Sequence, residues 1–179
     1  IRTVVKRLMA LMDRTLMGQS ADEGRDHGFV RKTDIARLIG DCVRSVREMH
    51  PEALITLDLP HLPALVADRS VIESAISNLL GNAIKYSNGP ARIDVSCQLA
   101  PAGIEITIRD EGIGIPLAER DTVFGEFVRG SNVGNREGTG LGLAIVRNAI
   151  EALGGTIELL PDSQAGTAFR VILPRKIFA

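Results

Sequence analysis

The segment Asp68-Arg-Ser-Val-Ile-Glu-Ser-Ala-Ile-Ser-Asn78-Leu-Leu-Gly-Asn82-Ala-Ile-Lys85 decides how this chain folds. Asp68 can cap a helix, and the apolar residues after it recur at intervals of three and four, which is the period of an amphipathic helix. They form one wide apolar arc of Ile72, Ala75, Ile76, Leu79, Leu80, Ala83 and Ile84. The segment therefore predicts a strong helix with one face in a core.

Three polar residues of this helix share a stripe beside the apolar arc. Asn78, Asn82 and Lys85 are spaced by four and three residues, so they lie on one side of the helix. Asparagine is a poor helix former, and two of them bordering a core need a reason. An amide oxygen can ligate Mg²⁺, and a lysine beside it can contact phosphate. A solvated stripe with incidental asparagines is the alternative that the helix alone leaves open.

The rest of the chain predicts strands and further helices around this segment. A helix capped by Thr33 or Asp34 ends before Pro51, and another runs from residue 141 to about 153. Strand patterns occupy residues 53–59, 64–67, 92–99, 104–109, 156–160 and 167–173. Strands that meet through hairpins, with helices inserted between them, favour an α+β fold with helices on one face of the sheet. Residues 1–17 predict a short amphipathic helix, 18–33 a polar, glycine-rich linker, and 34–179 the domain.

Composition limits the partners of the chain. Lys and Arg number 21, Asp and Glu 22, and aromatic residues make up 3% with no Trp, so neither a basic field nor stacking platforms are offered to nucleic acid. No apolar run is long enough to span a bilayer, so no membrane contact is expected within this chain. The two cysteines form no Cys-x-x-Cys, which fits a reducing cytosol. Any membrane anchor of the full-length protein would lie outside these residues.

Two glycine-containing motifs follow the central helix. Asp110-Glu-Gly112-Ile-Gly114-Ile115-Pro comes directly after an apolar strand, where a buried carboxylate can accept a hydrogen bond from an adenine amino group and glycines let backbone approach the flat base. Gly138-Thr139-Gly140-Leu141-Gly142-Leu143 opens a helix, whose first N–H groups can bind phosphate. An ordinary strand-to-loop turn and a flexible loop with a helix cap remain the alternatives. The second motif lacks the Gly-Lys of a Walker loop and the spacing of a Rossmann fingerprint.

The motifs, taken in this order, resemble those of sensor histidine kinases. Residues 78–87 resemble their asparagine box, 110–114 their first glycine box, Phe124-Gly-Glu-Phe127-Val-Arg129 their phenylalanine box, and 138–143 their second glycine box. The resemblance covers about residues 34–174. It implies the ATP-binding fold shared by histidine kinases, DNA gyrase, Hsp90 and mismatch-repair ATPases, a two-layer sandwich of a mixed β-sheet backed by helices.

The resemblance also implies a role for individual residues toward ATP and Mg²⁺. Asn82 would ligate Mg²⁺ with help from Asn78, and Lys85 would contact phosphate. Asp110 would read the adenine amino group, with Thr167 holding a water network beside it. Arg129 would reach the γ-phosphate, with Arg136 as a helper, and residues 125–138 would be a mobile lid. The other implied nucleotide contacts are Tyr86, Gly112, Gly114, Ile115, Phe127, Gly138, Thr139, Gly140, Leu141, Gly142 and Leu143.

The implied reaction moves the γ-phosphoryl group of ATP to a histidine, for relay to a response regulator. His27, His50 and His61 lack the His-Glu/Asp-x-x-x-Pro context of an acceptor, so the acceptor is expected outside this chain. Residues 1–17 would then be a remnant of the helical hairpin through which the full-length protein forms a homodimer.

Two other functions remain open at this point. An ATP hydrolase of the same superfamily would need a Glu four residues before the metal-binding asparagine, and here that position is Asn78. A catalytically silent, nucleotide-responsive interaction module would bind ATP without transferring phosphate.

Overall fold

A computed structural model of the chain describes residues 30–161 and 166–174. The predicted helix at residues 1–17 and most of the predicted linker lie outside the described residues. In chain order the elements are β1 (Val30–Thr33), α1 (Ile35–Met49), β2 (Leu54–Asp58), β3 (Leu65–Asp68), α2 (Arg69–Lys85), β4 (Arg92–Ala100), β5 (Gly103–Asp110), a single 3-10 turn (Leu117–Glu119), α3 (Gly142–Ala152), β6 (Thr156–Leu159) and β7 (Thr167–Pro174).

The main sheet has five strands in the order β2-β4-β5-β7-β6. β2 pairs with β4 in parallel, whereas the other neighbours are antiparallel, so the sheet is mixed. This confirms the predicted α+β architecture. The long β4–β5 hairpin turns at residues 100–103. Only glycine fits at position 103, because a Cβ there would lie 1.9 Å from the Leu173 carbonyl oxygen.

A second, two-stranded sheet was not foreseen. β1 pairs antiparallel with β3, from Val30 opposite Asp68 to Thr33 opposite Leu65. The four residues of β1 were counted with the linker in the sequence analysis, because three of their side chains are exposed and show no apolar alternation. Backbone hydrogen bonding to β3, which sequence periodicity does not report, makes them a strand.

The core lies between one face of the main sheet and the three helices. Ile104, Ile106 and Ile108 of β5 are at most 2% exposed and share this face, while the residues between them lie on the opposite, partly exposed face. The apolar arc of α2 is buried as predicted from Ile72 to Ala83, and its last member, Ile84, is half-buried. Each fully buried isoleucine or leucine contributes about 1.5–3 kcal/mol relative to exposure, so this face sets the orientation of α2.

Capping residues determine where α1 and α2 begin. The Asp34 carboxylate accepts from the Arg37 N–H at 3.0 Å, and the Asp68 carboxylate accepts from the Ser70 N–H at 2.9 Å. Asp34, rather than the alternative Thr33, is therefore the cap of α1. Among the helices that the structure describes, none is both long and apolar enough to cross a membrane.

Candidate functional site

A groove of about 1840 Å³ runs along α2 and α3 and is bordered at one end by the end of β5 and the lid. Here the lid means residues 125–138. Asn82 on α2 and Asp110 at the end of β5 both line this groove, although 28 positions separate them in sequence. The asparagine motif and the first glycine motif therefore share one cavity.

Most of the predicted site residues line the groove. They are Asn78, Asn82, Lys85, Tyr86, Asp110, Gly114, Ile115, Arg129, Gly138, Thr139, Gly140, Gly142, Leu143 and Thr167. Three predicted contacts, Gly112, Phe127 and Leu141, are not among the lining residues. Within the described residues, neither His50 nor His61 lines the groove.

The asparagine stripe of α2 faces the beginning of α3. A Cβ on Gly142 would lie 3.6 Å from Asn78 Oδ1 and 3.8 Å from Asn82 Nδ2, so the two helices meet here with only a glycine between them. The Asn78 amide donates to the Ser74 carbonyl at 2.9 Å, which leaves its oxygen toward Gly142. α3 starts without a side-chain cap, so its first N–H groups offer the positive end of the helix dipole.

Asp110 continues the buried row of β5 as a carboxylate. It is 7% exposed, and its Oδ1 accepts the Gly112 N–H at 2.8 Å, which orients the carboxylate. Thr167 lies directly opposite it in the β5–β7 register. A Cβ on Gly112 would lie 2.7 Å from both Asp110 Oδ1 and the Tyr86 carbonyl oxygen. Gly112 therefore lets the loop turn around the carboxylate and lies behind the groove wall.

Lys85 lies between Tyr86 and the lid. Its ammonium is 5.0 Å from the centre of the Tyr86 ring, within the range of a cation–π contact. A Cβ on Gly138 would come within 2.3 Å of the Lys85 nitrogen. Gly138 also has φ +155°, so the lid reaches the lysine only because this residue has no side chain.

Side chains outside the predicted set hold the lid against the groove. Asn132 donates to the carbonyl oxygens of Ile113 and Gly114 at 3.1 and 3.0 Å. Both Glu119 carboxylate oxygens accept the Ser131 N–H, at 3.1 and 3.0 Å. These contacts join residues 12 to 19 positions apart across loops, and no periodicity or motif marks them, so sequence reasoning missed them.

Two arginines of the lid are linked to one another. Arg129 lines the groove, and its guanidinium donates to the Arg136 carbonyl oxygen. The Arg136 guanidinium in turn donates to Asn88 Oδ1 at 2.7 Å, just beyond the end of α2.

Phe127, within the phenylalanine motif, is 56% exposed and has φ +61°. A bulky residue in that region is strained, and the strain lies where the chain enters the lid.

Known proteins resemble this chain in sequence and in fold. A family model described as "Histidine kinase-, DNA gyrase B-, and HSP90-like ATPase" matches residues 67–177. The sensor-like histidine kinase SenX3 of Mycobacterium tuberculosis (strain ATCC 25618 / H37Rv) is 35% identical over 150 residues, which cover 82% of this chain and 37% of that protein. The chain thus spans little more than a third of that relative's length.

Two solved structures share the fold. The mycobacterial sensor histidine kinase MprB has a TM-score of 0.71 and 30% identity, with 80% of this chain and 97% of that chain covered. The ATP binding domain of PrrB from Mycobacterium tuberculosis has a TM-score of 0.67 and 26% identity, with 82% and 98% covered.

Proposed function

Because this chain belongs to the family of histidine kinase-, DNA gyrase B- and HSP90-like ATPases, we propose that it binds ATP with Mg²⁺ in the groove and transfers the γ-phosphoryl group to a histidine. Its relatives are sensor histidine kinases, and its fold is that of their ATP-binding domains. The observation that carries the proposal is the meeting of the asparagine stripe, the start of α3 and Asp110 in a single groove.

The donor set beside α3 suits a hard cation bound to phosphate. Asn82 is half-buried and, in the part of the chain that the structure describes, its side-chain amide has no hydrogen-bond partner. Asn82 would hold Mg²⁺ through its oxygen, and Asn78 would assist. Bound there, Mg²⁺ would neutralise phosphate charge. The N–H groups at the start of α3, from Gly142 onward, would receive phosphate oxygens.

The remaining groove residues divide between the two ends of the nucleotide. At the base end, the Asp110 carboxylate would accept a hydrogen bond from the adenine amino group, with Thr167 beside it, and Gly114 and Ile115 would border the base. At the phosphate end, Lys85 and Arg129 would contact the anionic phosphate oxygens. The lid glycines, with Thr139, would pass close to the phosphates, and Tyr86 and Leu143 would border the ribose or base. Gly112, Phe127 and Leu141 would act indirectly, through the shape of the loops.

Transfer is favoured over hydrolysis by the residue at position 78. An amide there cannot remove a proton from water, and its nitrogen is already engaged with the Ser74 carbonyl. The protein's contribution to phosphoryl transfer is then positioning and charge neutralisation, which the groove residues can supply. The acceptor histidine, a response regulator and dimerisation through a helical hairpin complete the proposed system.

The decisive experiment supplies the acceptor in trans. The chain is incubated with labelled ATP, Mg²⁺ and a separate protein that carries a histidine kinase acceptor hairpin. Label on a histidine, acid-labile and base-stable, is the expected result. Nucleotide binding without transfer would favour the silent module, and brisk phosphate release without an acceptor would favour the hydrolase.

A further inference from the structure

One side chain fastens the second half of the lid to the end of α2. Arg136 donates to Asn88 Oδ1 at 2.7 Å and to the Ser87 carbonyl at 3.5 Å. Residues 87 and 88 follow Tyr86, the C-cap residue of α2. Since α2 also carries Asn82 and Lys85, this contact ties the lid to the helix with the proposed metal and phosphate ligands.

The backbone of the same lid residue supports Arg129. The Arg129 guanidinium donates to the Arg136 carbonyl oxygen, so its position depends on where residue 136 lies. An arginine side chain loses rotamer entropy when it is held in one place, and a preformed support would reduce that loss at the moment of binding. Asn88, Arg136 and Arg129 thus form a chain of contacts from the end of α2 to the groove.

We propose that Asn88 and Arg136 are positioning residues that hold Arg129 toward the terminal phosphate of the bound nucleotide. Asn88 does not line the groove, so we expect it to act on the nucleotide through its contact with Arg136 rather than by touching the nucleotide itself. The inference rests on the proposed function in one respect, namely that the anion met by Arg129 is the γ-phosphate of ATP. Arg136, which resemblance cast as a helper at the phosphate, acts instead through its carbonyl oxygen.

The first test compares ATP with ADP, because their difference isolates the γ-phosphate. Affinities of the whole chain for ADP and for a non-hydrolysable ATP analogue are measured by calorimetry with Mg²⁺. Asn88→Ala and Arg136→Ala should each reduce the preference for the ATP analogue about fivefold and leave ADP affinity within about twofold. The double variant should lose no more than either single one, since the two residues act as a unit. Asn88→Asp, which keeps the acceptor oxygen, should retain the preference.

This test has a matched control variant and two results that would overturn the proposal. Asn148 is an exposed asparagine on α3 outside the groove lining, and Asn148→Ala should leave the ratio of affinities unchanged. If Arg136→Ala lowers the preference while Asn88→Ala does not, Arg136 contacts phosphate directly and the proposal is overturned. Equal losses of ADP and ATP affinity with a lowered melting temperature would show a merely structural turn, and overturn it as well.

A second measurement needs neither nucleotide nor acceptor. The N–H groups of Val133 and Arg136 are hydrogen-bonded within the lid, to the Gly130 and Val133 carbonyls. Their hydrogen exchange should accelerate in Asn88→Ala and stay unchanged in Asn148→Ala. If the native chain binds no adenine nucleotide, the proposed function and the role of Arg129 both fail, even if exchange shows that Asn88 holds the lid. If the native chain binds ATP but Asn88→Ala changes neither exchange nor preference, only the positioning inference fails.

Discussion

Replacing Asn82 with alanine should separate nucleotide binding from stability. Asn82 lies inside α2, where its backbone carbonyl accepts the Tyr86 N–H at 2.9 Å and is unaffected by the change. Within residues 30–161 and 166–174 its side chain makes no hydrogen bond that the substitution would break. Alanine is the better helix former by about 0.5 kcal/mol. The variant should therefore be as stable as the native chain or slightly more so, with a melting temperature higher by up to about 2 °C.

The same substitution should weaken binding only when magnesium is present. If Asn82 supplies a metal ligand, its loss should raise the dissociation constant for magnesium-bound ADP about tenfold, or about 1.4 kcal/mol. With EDTA the nucleotide reaches the groove without the metal, and the native and variant chains should bind it alike. Asparagine at position 82 would then serve metal binding, although alanine would make the helix more stable.

Calorimetry with Mg²⁺ or EDTA, together with thermal unfolding, measures both effects. Asn148→Ala is the control, because it makes the same exchange on an exposed helical position and should leave affinity unchanged. The reasoning is refuted if Asn82→Ala lowers the melting temperature by several degrees while affinity survives. An equal loss of affinity with and without the metal would also refute the assignment of Asn82 as a magnesium ligand.

Three further changes have defined outcomes. Asp110→Asn should erode the preference for ATP over GTP, measured by competition binding, because an amide presents a donor as well as an acceptor; an unchanged preference would remove Asp110 as the base reader. Gly138→Ala should lower nucleotide affinity about tenfold, since its Cβ would lie 2.3 Å from the Lys85 nitrogen and displace the ammonium, and should also lower the melting temperature slightly, because φ +155° is strained for alanine; native affinity would contradict that packing. The hydrogen bond from Arg69 holds the pKa of Asp41 below its usual range, so Asp41→Asn should cost about 0.5 kcal/mol at neutral pH. Denaturant unfolding measures this difference in the free energy of unfolding between the native chain and the variant. It should persist above about pH 5 and vanish as the pH falls through the lowered pKa of Asp41. A difference that grew in acid would contradict the reasoning.

Much of the fold was predictable because it depends on local periodicity. The apolar arc of α2 and the alternation of β5 predict which side chains are buried, and the structure buries them. β1 was not predictable in this way, since its side chains are mostly exposed and only pairing with β3 orders it. Sequence left two candidates for the cap of α1, Thr33 and Asp34, and the hydrogen bond from the Arg37 N–H to the Asp34 carboxylate assigns it to Asp34.

The candidate site was also predictable only in part. Asn82 and Asp110 belong to motifs that can be recognised from residue types and their order, so both residues could be predicted as site residues from the sequence alone. Their convergence in one cavity, by contrast, depends on how α2 packs on β5, which is a property of the whole core.

Sequence by itself determined the family and the α+β layers, and it predicted which side chains would contact a nucleotide, because motif spacing and apolar periodicity are local properties. Only the tertiary structure decided how the lid is held. The bond from Arg136 to Asn88 spans 48 positions, and the bonds from Asn132 reach a separate loop. Contacts of this kind leave no periodic trace, because exposed polar side chains are placed by the packing of the elements beneath them rather than by their neighbours in sequence.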